Sequence, residues 1–317
     1  MLLTDYFRYP KDSTWDIARQ CSVKHGVIRL PEDGAFDLTD ASHWQKIYDD
    51  FVAFGITPVM IEPMPNELHD HIKAGDAMRD ECIEKVIKMF PIMDRLNIRG
   101  ICFNWMAHIG WYRNVVNIPE RGGAKVTGFS MADFKPTDAC ITEAQLWENY
   151  TYFLNAVIPY AEKYNINLAL HPDDPPRNLG NVARIMTSFA NIQKAIYDIR
   201  PSKNLGVCMC QATYHIMGED LYQVIPALAD RIMMVHFRNT TGNLDCYRET
   251  FHDNGEIDMA AIMKLYQSLG VDVPVRVDHV PTMLGEDTVH QGYDALGRFF
   301  AIGYLKGILD SVAPSHS

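Results

Sequence analysis

The sequence lacks the features that would point to a membrane, a nucleic acid or disulfide bonds. No apolar run approaches the ~20 residues that a membrane-spanning helix needs. Acidic residues outnumber basic ones, 40 to 29, and the net charge of −11 argues against nucleic acid as a partner. The seven cysteines are odd in number and scattered, and Met1 is not followed by a signal-peptide apolar region. We therefore expect reduced cysteines and a cytoplasmic location.

Internal repeats, low-complexity tracts and linkers are also missing. Instead, short apolar runs alternate with amphipathic segments from one end of the chain to the other, as in α/β proteins with a parallel sheet. Eight such runs cover residues 2–8, 26–30, 58–62, 100–104, 167–171, 205–210, 232–237 and 273–278. Eight strand–helix alternations predict one (β/α)8 TIM barrel, and we expect residues 1–317 to form a single barrel domain.

Helical patterns fill the connections between these runs. Thr142 opens a Thr-Glu-Ala-Gln capping box before a helix over residues 146–163, and Ser13 is a candidate cap of the first helix. We also expect helices over residues 181–199 and 295–309. The connection from Asn104 to Thr142 is different, because it is long, aromatic-rich and without helical period. It predicts a long loop after the fourth strand, forming a lid or a pocket wall; the alternative is a surface insertion without a role.

Side chains that bind metals follow four of the predicted strands. His171, Cys210, His236 and Asp278 stand at the carboxyl ends of four successive strands, where barrel enzymes place catalytic groups. Imidazole, thiolate and carboxylate are ligands of divalent transition metals, and strands ~4.8 Å apart let them converge. The set leaves zinc, manganese, iron and cobalt open. The alternative for each residue is structural: a hydrogen-bonded core histidine, a small buried cysteine, or an aspartate paired with Arg276.

Acid–base and substrate-binding candidates surround this predicted site. His279 directly follows Asp278, and Tyr293 lies on the next loop; imidazole and phenol suit the movement of protons on and off a carbon acid. A packing role at the start of a helix is the alternative for Tyr293. Candidates for binding a substrate are of two kinds. The guanidinium groups of Arg8, Arg177 and Arg238 suit a carboxylate, and a surface salt bridge is the alternative for each of them. Asn104, Trp105 and His252 stand on loops expected at the pocket rim.

Several ordered motifs resemble the mannonate dehydratase family, UxuA-like enzymes of hexuronate catabolism on a xylose-isomerase-like barrel. Residues 171–177 read His-Pro-Asp-Asp-Pro-Pro-Arg, as in the family. Residues 276–279 match Arg-Pro-Asp-His except for Val277, and residues 236–238 match His-x-Arg. Residues 251–259 and 292–298 resemble the Phe-His…Gly-x-x-Asp-Met and Gly-Tyr…Gly-Arg segments.

The resemblance implies a metal-dependent hydro-lyase that dehydrates D-mannonate to 2-keto-3-deoxy-D-gluconate. It implies Mn²⁺, with Fe²⁺, Co²⁺ or Zn²⁺ as alternatives, held by His171, Cys210, His236 and Asp278. By the same resemblance His279 and Tyr293 are the acid–base pair. The expected partner is a small sugar acid, with no nucleic acid or membrane, and a homo-oligomer is left open.

The sequence departs from the family after the fourth strand. The family's proline and aspartate are replaced there by Ala107 and Gly110, and a long helical insertion is missing. The exact sugar acid is therefore open. The rival functions are a metal-dependent sugar or sugar-acid isomerase or epimerase on the same barrel, and a non-catalytic sugar-acid binding protein.

Overall fold

Eight parallel strands close into a barrel, as the apolar runs predict. The structure, a computed structural model, describes residues 1–286 and 291–312. The barrel order is β1-β12-β9-β8-β7-β4-β3-β2. The barrel strands are β1 (Leu2–Phe7), β2 (His25–Ile28), β3 (Thr57–Ile61), β4 (Gly100–Phe103), β7 (Asn167–Leu170), β8 (Leu205–Cys210), β9 (Ile232–Phe237) and β12 (Pro274–Val277). Each predicted run coincides with one of them, which confirms the (β/α)8 TIM barrel.

The barrel forms because its strands are apolar on both faces. β4, β8 and β9 are buried along their whole length, with the barrel interior on one face and the helices on the other. Parallel pairing brings the carboxyl ends of all eight strands to one end of the barrel. β7, β8, β9 and β12 are successive neighbours there, so their carboxyl ends lie side by side.

Ten α-helices lie within the described residues. They are α1 (Ser13–Gln20), α2 (Ala41–Phe54), α3 (Asn66–Ala74), α4 (Arg79–Arg95), α5 (Glu143–Tyr164), α6 (Phe189–Gln193), α7 (Gln211–Ile216), α8 (Leu221–Leu228), α9 (Met259–Ser268) and α10 (Ala295–Val312). The capping box at Thr142 is confirmed, and so is the helix predicted over 295–309. The prediction for Ser13 was wrong, because the Asp12 carboxylate caps α1. No described helix has the length and apolar content needed to cross a membrane.

The helix predicted over residues 181–199 was wrong in its first half. The backbone N–H groups of Ile185 and Met186 donate to the buried Asp173 carboxylate at 3.0 and 2.9 Å. These bonds hold the chain in a non-helical path. The helix begins only after Ser188, whose hydroxyl accepts from the Asn191 N–H, and it continues as a π-helix over Lys194–Ile199.

The segment between β4 and α5 is not a structureless loop. It contains β5 (Val115–Pro119) and β6 (Lys125–Ser130), which form a four-stranded antiparallel sheet with β10 (Thr240–Asn243) and β11 (Cys246–Glu249) in the order β10-β11-β6-β5. The expected absence of regular structure is thus corrected. The sheet lies at the carboxyl end of the barrel, because β10 and β11 follow directly on β9.

Candidate active site at the carboxyl end of the barrel

A cavity of about 650 Å³ opens where the barrel strands end. Strand ends form its floor, and the segment after β4 supplies part of its wall through Met106, Trp111, Arg113 and Thr127. The cavity therefore has the position of a (β/α)8-barrel active site. It is lined by seven of the residues predicted to act in catalysis or binding: Arg8, Asn104, His171, His236, Asp278, His279 and Tyr293.

Three of the four predicted metal ligands come together at the strand ends that border this cavity, and the fourth, Asp278, lies beside one of them. The ligand atoms of His171, Cys210 and His236 all lie within 4.8 Å of one another. Asp278 directly follows β12, which lies on the other side of β9 from β8. Its Oδ2 lies 3.5 Å from Nδ1 of His236. Strand register explains this convergence, since Cys210 stands directly beside His236 across the β8–β9 pair.

The electrostatics of this cluster favour charged donors. Burial alone favours the neutral thiol of Cys210, but Arg238 and His171 outweigh burial and hold the pKa of that thiol well below its ordinary value. Nη1 of Arg238 lies 3.5 Å from Sγ, and the Thr213 hydroxyl donates to Sγ at 3.1 Å. For His171, burial favours the neutral ring, yet the neighbouring Cys210 thiolate raises the pKa of this histidine to about 9. Both shifts favour a Cys210 thiolate beside a protonated His171, and a metal ion bound there would replace the proton of the imidazole.

His236 is the least satisfied member of the cluster. It is 2% exposed, and neither ring nitrogen has a hydrogen-bond partner of acceptable geometry among the described residues. Oε1 of Glu62 lies 3.0 Å from its Nε2, close enough for an ion pair. A buried polar atom without a hydrogen bond is costly, and coordination of a cation removes that cost. Two imidazoles, a thiolate and a carboxylate around such an atom fit a divalent transition metal.

Arg276 fixes the carboxylates that face His236. Its guanidinium donates twice to Glu62, at 2.8 and 2.7 Å, and once to Oδ1 of Asp278, at 3.0 Å. The pairing leaves Oδ2 of Asp278 facing His236. Burial opposes ionisation of Asp278, but His279, Arg276 and His236 together hold its pKa well below the ordinary range. Asp278 is thus a carboxylate in the folded protein.

The predicted acid–base residues touch each other beside this cluster. Nε2 of His279 lies 3.1 Å from the hydroxyl oxygen of Tyr293, and 3.7 Å from Oδ1 of Asp278. Burial, with the Asp278 charge, raises the pKa of Tyr293, so its phenol stays protonated. His279 has a backbone φ of 33°, a left-handed conformation that a non-glycine residue adopts at a cost. The Trp111 ring packs on the imidazole with ring centroids 4.5 Å apart.

Behind His279 lies a buried cluster of charges, which we call the inner ion cluster: Arg113, Asp174, Arg238 and Glu249. Arg113 bridges Asp174 and Glu249 at 2.8 and 2.7 Å, and Arg238 bridges the same two carboxylates at 2.8 and 2.7 Å. All four side chains are at most 2% exposed. Oε1 of Glu249 also lies 3.3 Å from Nδ1 of His279. Through Glu249, the inner ion cluster links Arg113 in the cavity wall to the imidazole of His279 and helps to fix the orientation of that ring.

The remaining predicted binding residues lie outside the cavity wall. The Trp105 indole N–H donates to the Leu146 carbonyl, and Arg177 pairs with Asp245. Arg238 belongs to the inner ion cluster, and His252 lies behind β9, 2.8 Å from the Phe237 carbonyl. These four side chains do not line the cavity, so they are not placed to contact a molecule bound in it. Arg8 differs, because it lines the cavity and its guanidinium has no hydrogen bond or ion pair with any described residue.

Sequence reasoning did not single out Glu62, Glu249, Arg113 or Trp111 for this site. A signal existed for Glu62, which follows the apolar run of β3 at the same barrel end as the four ligands. Of the two departures after β4, Gly110 lines the cavity, whereas Ala107 is fully buried and does not. A Cβ added at Gly110 would meet no atom within 4 Å. A side chain at this position would therefore have room in the cavity wall.

A closed parallel barrel with such a cluster at its carboxyl mouth defines a (β/α)8-barrel enzyme. The sequence pattern of the D-mannonate dehydratase (UxuA) family matches residues 13–140 and 135–316. The chain belongs to this family of hydro-lyases.

Individual relatives agree with this assignment. Mannonate dehydratase of Oceanobacillus iheyensis is 30% identical over 92% of this chain and 91% of its own length. The crystal structure of mannonate dehydratase from Streptococcus suis superposes with a TM-score of 0.90, at 25% identity, over 98% of this chain and 93% of that one. An L-ribulose 3-epimerase structure, at 14% identity and a TM-score of 0.62, covers 99% of both chains and shares the fold alone.

Proposed function

We propose that this protein is a metal-dependent dehydratase that converts D-mannonate to 2-keto-3-deoxy-D-gluconate and water, as one barrel domain in cytoplasmic hexuronate catabolism. Family membership supports the reaction type. The observation that carries the proposal is the 3.1 Å contact between Nε2 of His279 and the Tyr293 hydroxyl, beside the donor cluster in the cavity. Two proton-transferring groups at one place are what the removal of a C–H proton and of a hydroxyl requires.

In this proposal His171, Cys210, His236 and Asp278 hold the metal. Mn²⁺ is the ion we favour, because the resemblance implies it and a carboxylate is among the donors; Fe²⁺, Co²⁺ and Zn²⁺ are the alternatives. When bound, the divalent cation supplies positive charge that stabilises the charge developing on the substrate carboxylate and C2 oxygen. Glu62 and Arg276 orient His236 and Asp278, as outer partners of metal ligands do.

His279 and Tyr293 carry out the proton transfers. One takes the proton from C2; the other protonates the hydroxyl that leaves C3, so that the C3–O bond breaks and water departs. The resulting enol then takes a solvent proton at C3 and releases the proton of its C2 hydroxyl, which gives the 2-keto acid. Glu249 holds Nδ1 of His279, which leaves Nε2 directed at Tyr293 and the cavity. Trp111 covers the imidazole and limits its access to water.

Arg8 is the residue we propose to bind the substrate carboxylate. The other arginines in the cavity wall already have carboxylate partners: Arg29 pairs with Glu32, Arg113 with the inner ion cluster, and Arg276 with Glu62. An unpaired guanidinium can give a carboxylate two parallel hydrogen bonds. Asn104, which also lines the cavity, offers its amide to a substrate hydroxyl.

The test is turnover by metal-stripped protein given D-mannonate with and without Mn²⁺, with 2-keto-3-deoxy acid as the readout. We expect product only with metal, and none in His171→Asn protein. Lys11→Gln, at an exposed ion pair outside the cavity, serves as a control for preparation effects. Protein that binds Mn²⁺ but dehydrates neither D-mannonate nor any other aldonate would overturn the proposal. Product from another aldonate alone would overturn only the choice of D-mannonate and direct attention to Gly110.

A further inference from the structure

Two cysteines lie one layer deeper in the barrel than the proposed metal ligands. Cys208 precedes Cys210 by two residues on β8, which places it about 6–7 Å further down the strand. Cys102, on β4, stands beside Ala169, two residues before His171. Both side chains are buried, Cys208 at 0% and Cys102 at 3% exposure. Neither residue has a part in the proposed reaction.

The two thiols are close to each other and to His236. Their Sγ atoms and a ring nitrogen of His236 all lie within 4.8 Å of one another. A tetrahedral Zn²⁺ with Zn–S bonds of ~2.3 Å needs sulfur atoms roughly 3.8 Å apart. Small side-chain rotations would meet that requirement without moving the strands.

We propose that Cys102, Cys208 and His236 form a second metal site, selective for thiophilic divalent cations of the Zn²⁺ class and distinct from the His171–Cys210 site above it. Two sulfur donors and one imidazole nitrogen are the soft set that such ions prefer, and the set contains no carboxylate to favour Mg²⁺ or Mn²⁺. Binding replaces the two thiol protons, which are released to solvent, by one cation.

One of the two thiols borders the cavity. Cys102 is part of the cavity lining, whereas Cys208 is fully buried behind it, so we expect an ion to enter on the side of Cys102. The competing explanation is packing, because Cys102 and Cys208 also contact the apolar floor formed with Val27, Met60 and Met234. Packing accounts for two small apolar side chains at these positions. Only the metal-site explanation predicts that the two thiols bind a cation.

The two sites share His236, so their occupancies should be coupled; this expectation rests on the proposed function. His236 belongs to the upper donor set as well as to the lower one. A thiophilic cation in the lower site engages the imidazole on which the Mn²⁺ site depends. We therefore expect the two kinds of ion to compete, and Zn²⁺ to inhibit Mn²⁺-dependent turnover.

The test is Cd²⁺ binding followed by thiolate-to-Cd²⁺ charge-transfer absorption. The parent protein carries Cys210→Ala, which removes the upper thiolate, and Cys140→Ser with Cys246→Ser, which remove exposed thiols. It is reduced and stripped of metal before titration. We expect absorption corresponding to two thiolates per bound Cd²⁺, half of it after Cys208→Ala, and none after Cys102→Ala with Cys208→Ala. Cys82→Ala, at a buried cysteine of α4, is the matched control and should keep the full signal.

Two results would overturn the second site. One is a folded parent protein without charge-transfer absorption; the other is absorption that persists at full intensity when Cys208, or both deep cysteines, are removed. The single variant gives an answer even if the double variant does not fold. Because the parent lacks Cys210 and turnover is not measured, the result does not depend on whether the protein dehydrates D-mannonate.

Discussion

Nε2 of His279 lies 3.1 Å from the hydroxyl oxygen of Tyr293, so the two residues that we propose to transfer protons are within one hydrogen bond of each other. Both residues lie in the connection between β12 and α10, 14 positions apart, and this connection folds back so that they meet. Asp278, which precedes His279, faces His236. The proposed cation site and the proposed acid–base pair are thus joined by a single peptide bond.

Substitution within this pair should separate the two proton transfers. We expect Tyr293→Phe to lower the rate of dehydration by ~10²–10⁴-fold. The variant should still exchange the C2 proton of D-mannonate with D₂O, because the imidazole that accepts that proton remains. His279→Asn should lose both exchange and dehydration. Proton NMR of the substrate in D₂O measures both. Tyr222→Phe, at an exposed tyrosine, is the control. The opposite pattern, exchange kept in His279→Asn and lost in Tyr293→Phe, would reverse the two roles.

Glu62 should support metal binding although we do not place it among the ligands. Its carboxylate lies 3.0 Å from Nε2 of His236 and is held by two hydrogen bonds from Arg276. Loss of an outer partner of this kind costs ~10–100-fold in metal affinity. We expect that loss for Mn²⁺ in Glu62→Gln, measured from free Mn²⁺ by electron paramagnetic resonance. Exposed Glu67 on α3 provides the control Glu67→Gln. Equal Mn²⁺ affinities in the two variants would contradict the role of Glu62.

The inner ion cluster should make a large contribution to stability. Glu249→Gln leaves two buried guanidinium groups, Arg113 and Arg238, short of a negative partner. Breaking a buried pair from one side costs about 3–5 kcal/mol, so we expect a loss of that order in the free energy of unfolding in urea. Glu256→Gln, at an ion pair whose carboxylate is 48% exposed, should cost about 0–1 kcal/mol. Similar losses in both variants would show that burial of the cluster does not matter.

His252 should make stability fall in mild acid. Burial, opposed only in part by the bond to the Phe237 carbonyl, lowers the pKa of this histidine from 6.5 to about 4. Below pH 6.5 the unfolded chain binds a proton at this residue and the folded protein does not. The free energy of unfolding therefore falls by up to about 3 kcal/mol as the pH decreases from 6.5 to 4, and this histidine does not change it above pH 6.5.

The difference between the wild type and His252→Gln isolates this contribution. Glutamine does not titrate in this range, and its amide can replace the donor to the Phe237 carbonyl. We expect the variant to lose less unfolding free energy than the wild type as the pH falls from 6.5 to 4, with His43→Gln, at a half-exposed histidine, behaving like the wild type. Parallel pH profiles for wild type and His252→Gln would contradict the lowered pKa.

The barrel and the donor cluster could be predicted because their signals are local. A parallel strand buried on both faces is a continuous apolar run, and a candidate ligand at its end is the next polar residue, as His171 is after β7. The antiparallel sheet gave no such signal, since β6 pairs with β11 far along the chain. Arg113 and Glu249 are 136 positions apart, so their ion pair exists only once the barrel closes. Likewise, the hydrogen bonds from the Ile185 and Met186 backbone to Asp173 form only in the folded protein, and they prevent a helix where the sequence pattern is continuously helical.

Dehydration is tested most directly by NMR of D-mannonate incubated in D₂O with the Mn²⁺-loaded protein. We expect 2-keto-3-deoxy-D-gluconate carrying one solvent-derived deuterium at C3, because the enol left by the loss of water takes its proton from solvent. An unchanged six-carbon aldonate with deuterium at C2, or its C2 epimer, would contradict it. That result would mean that His279 and Tyr293 move a proton without expelling the hydroxyl, and the protein would be an epimerase on the same barrel.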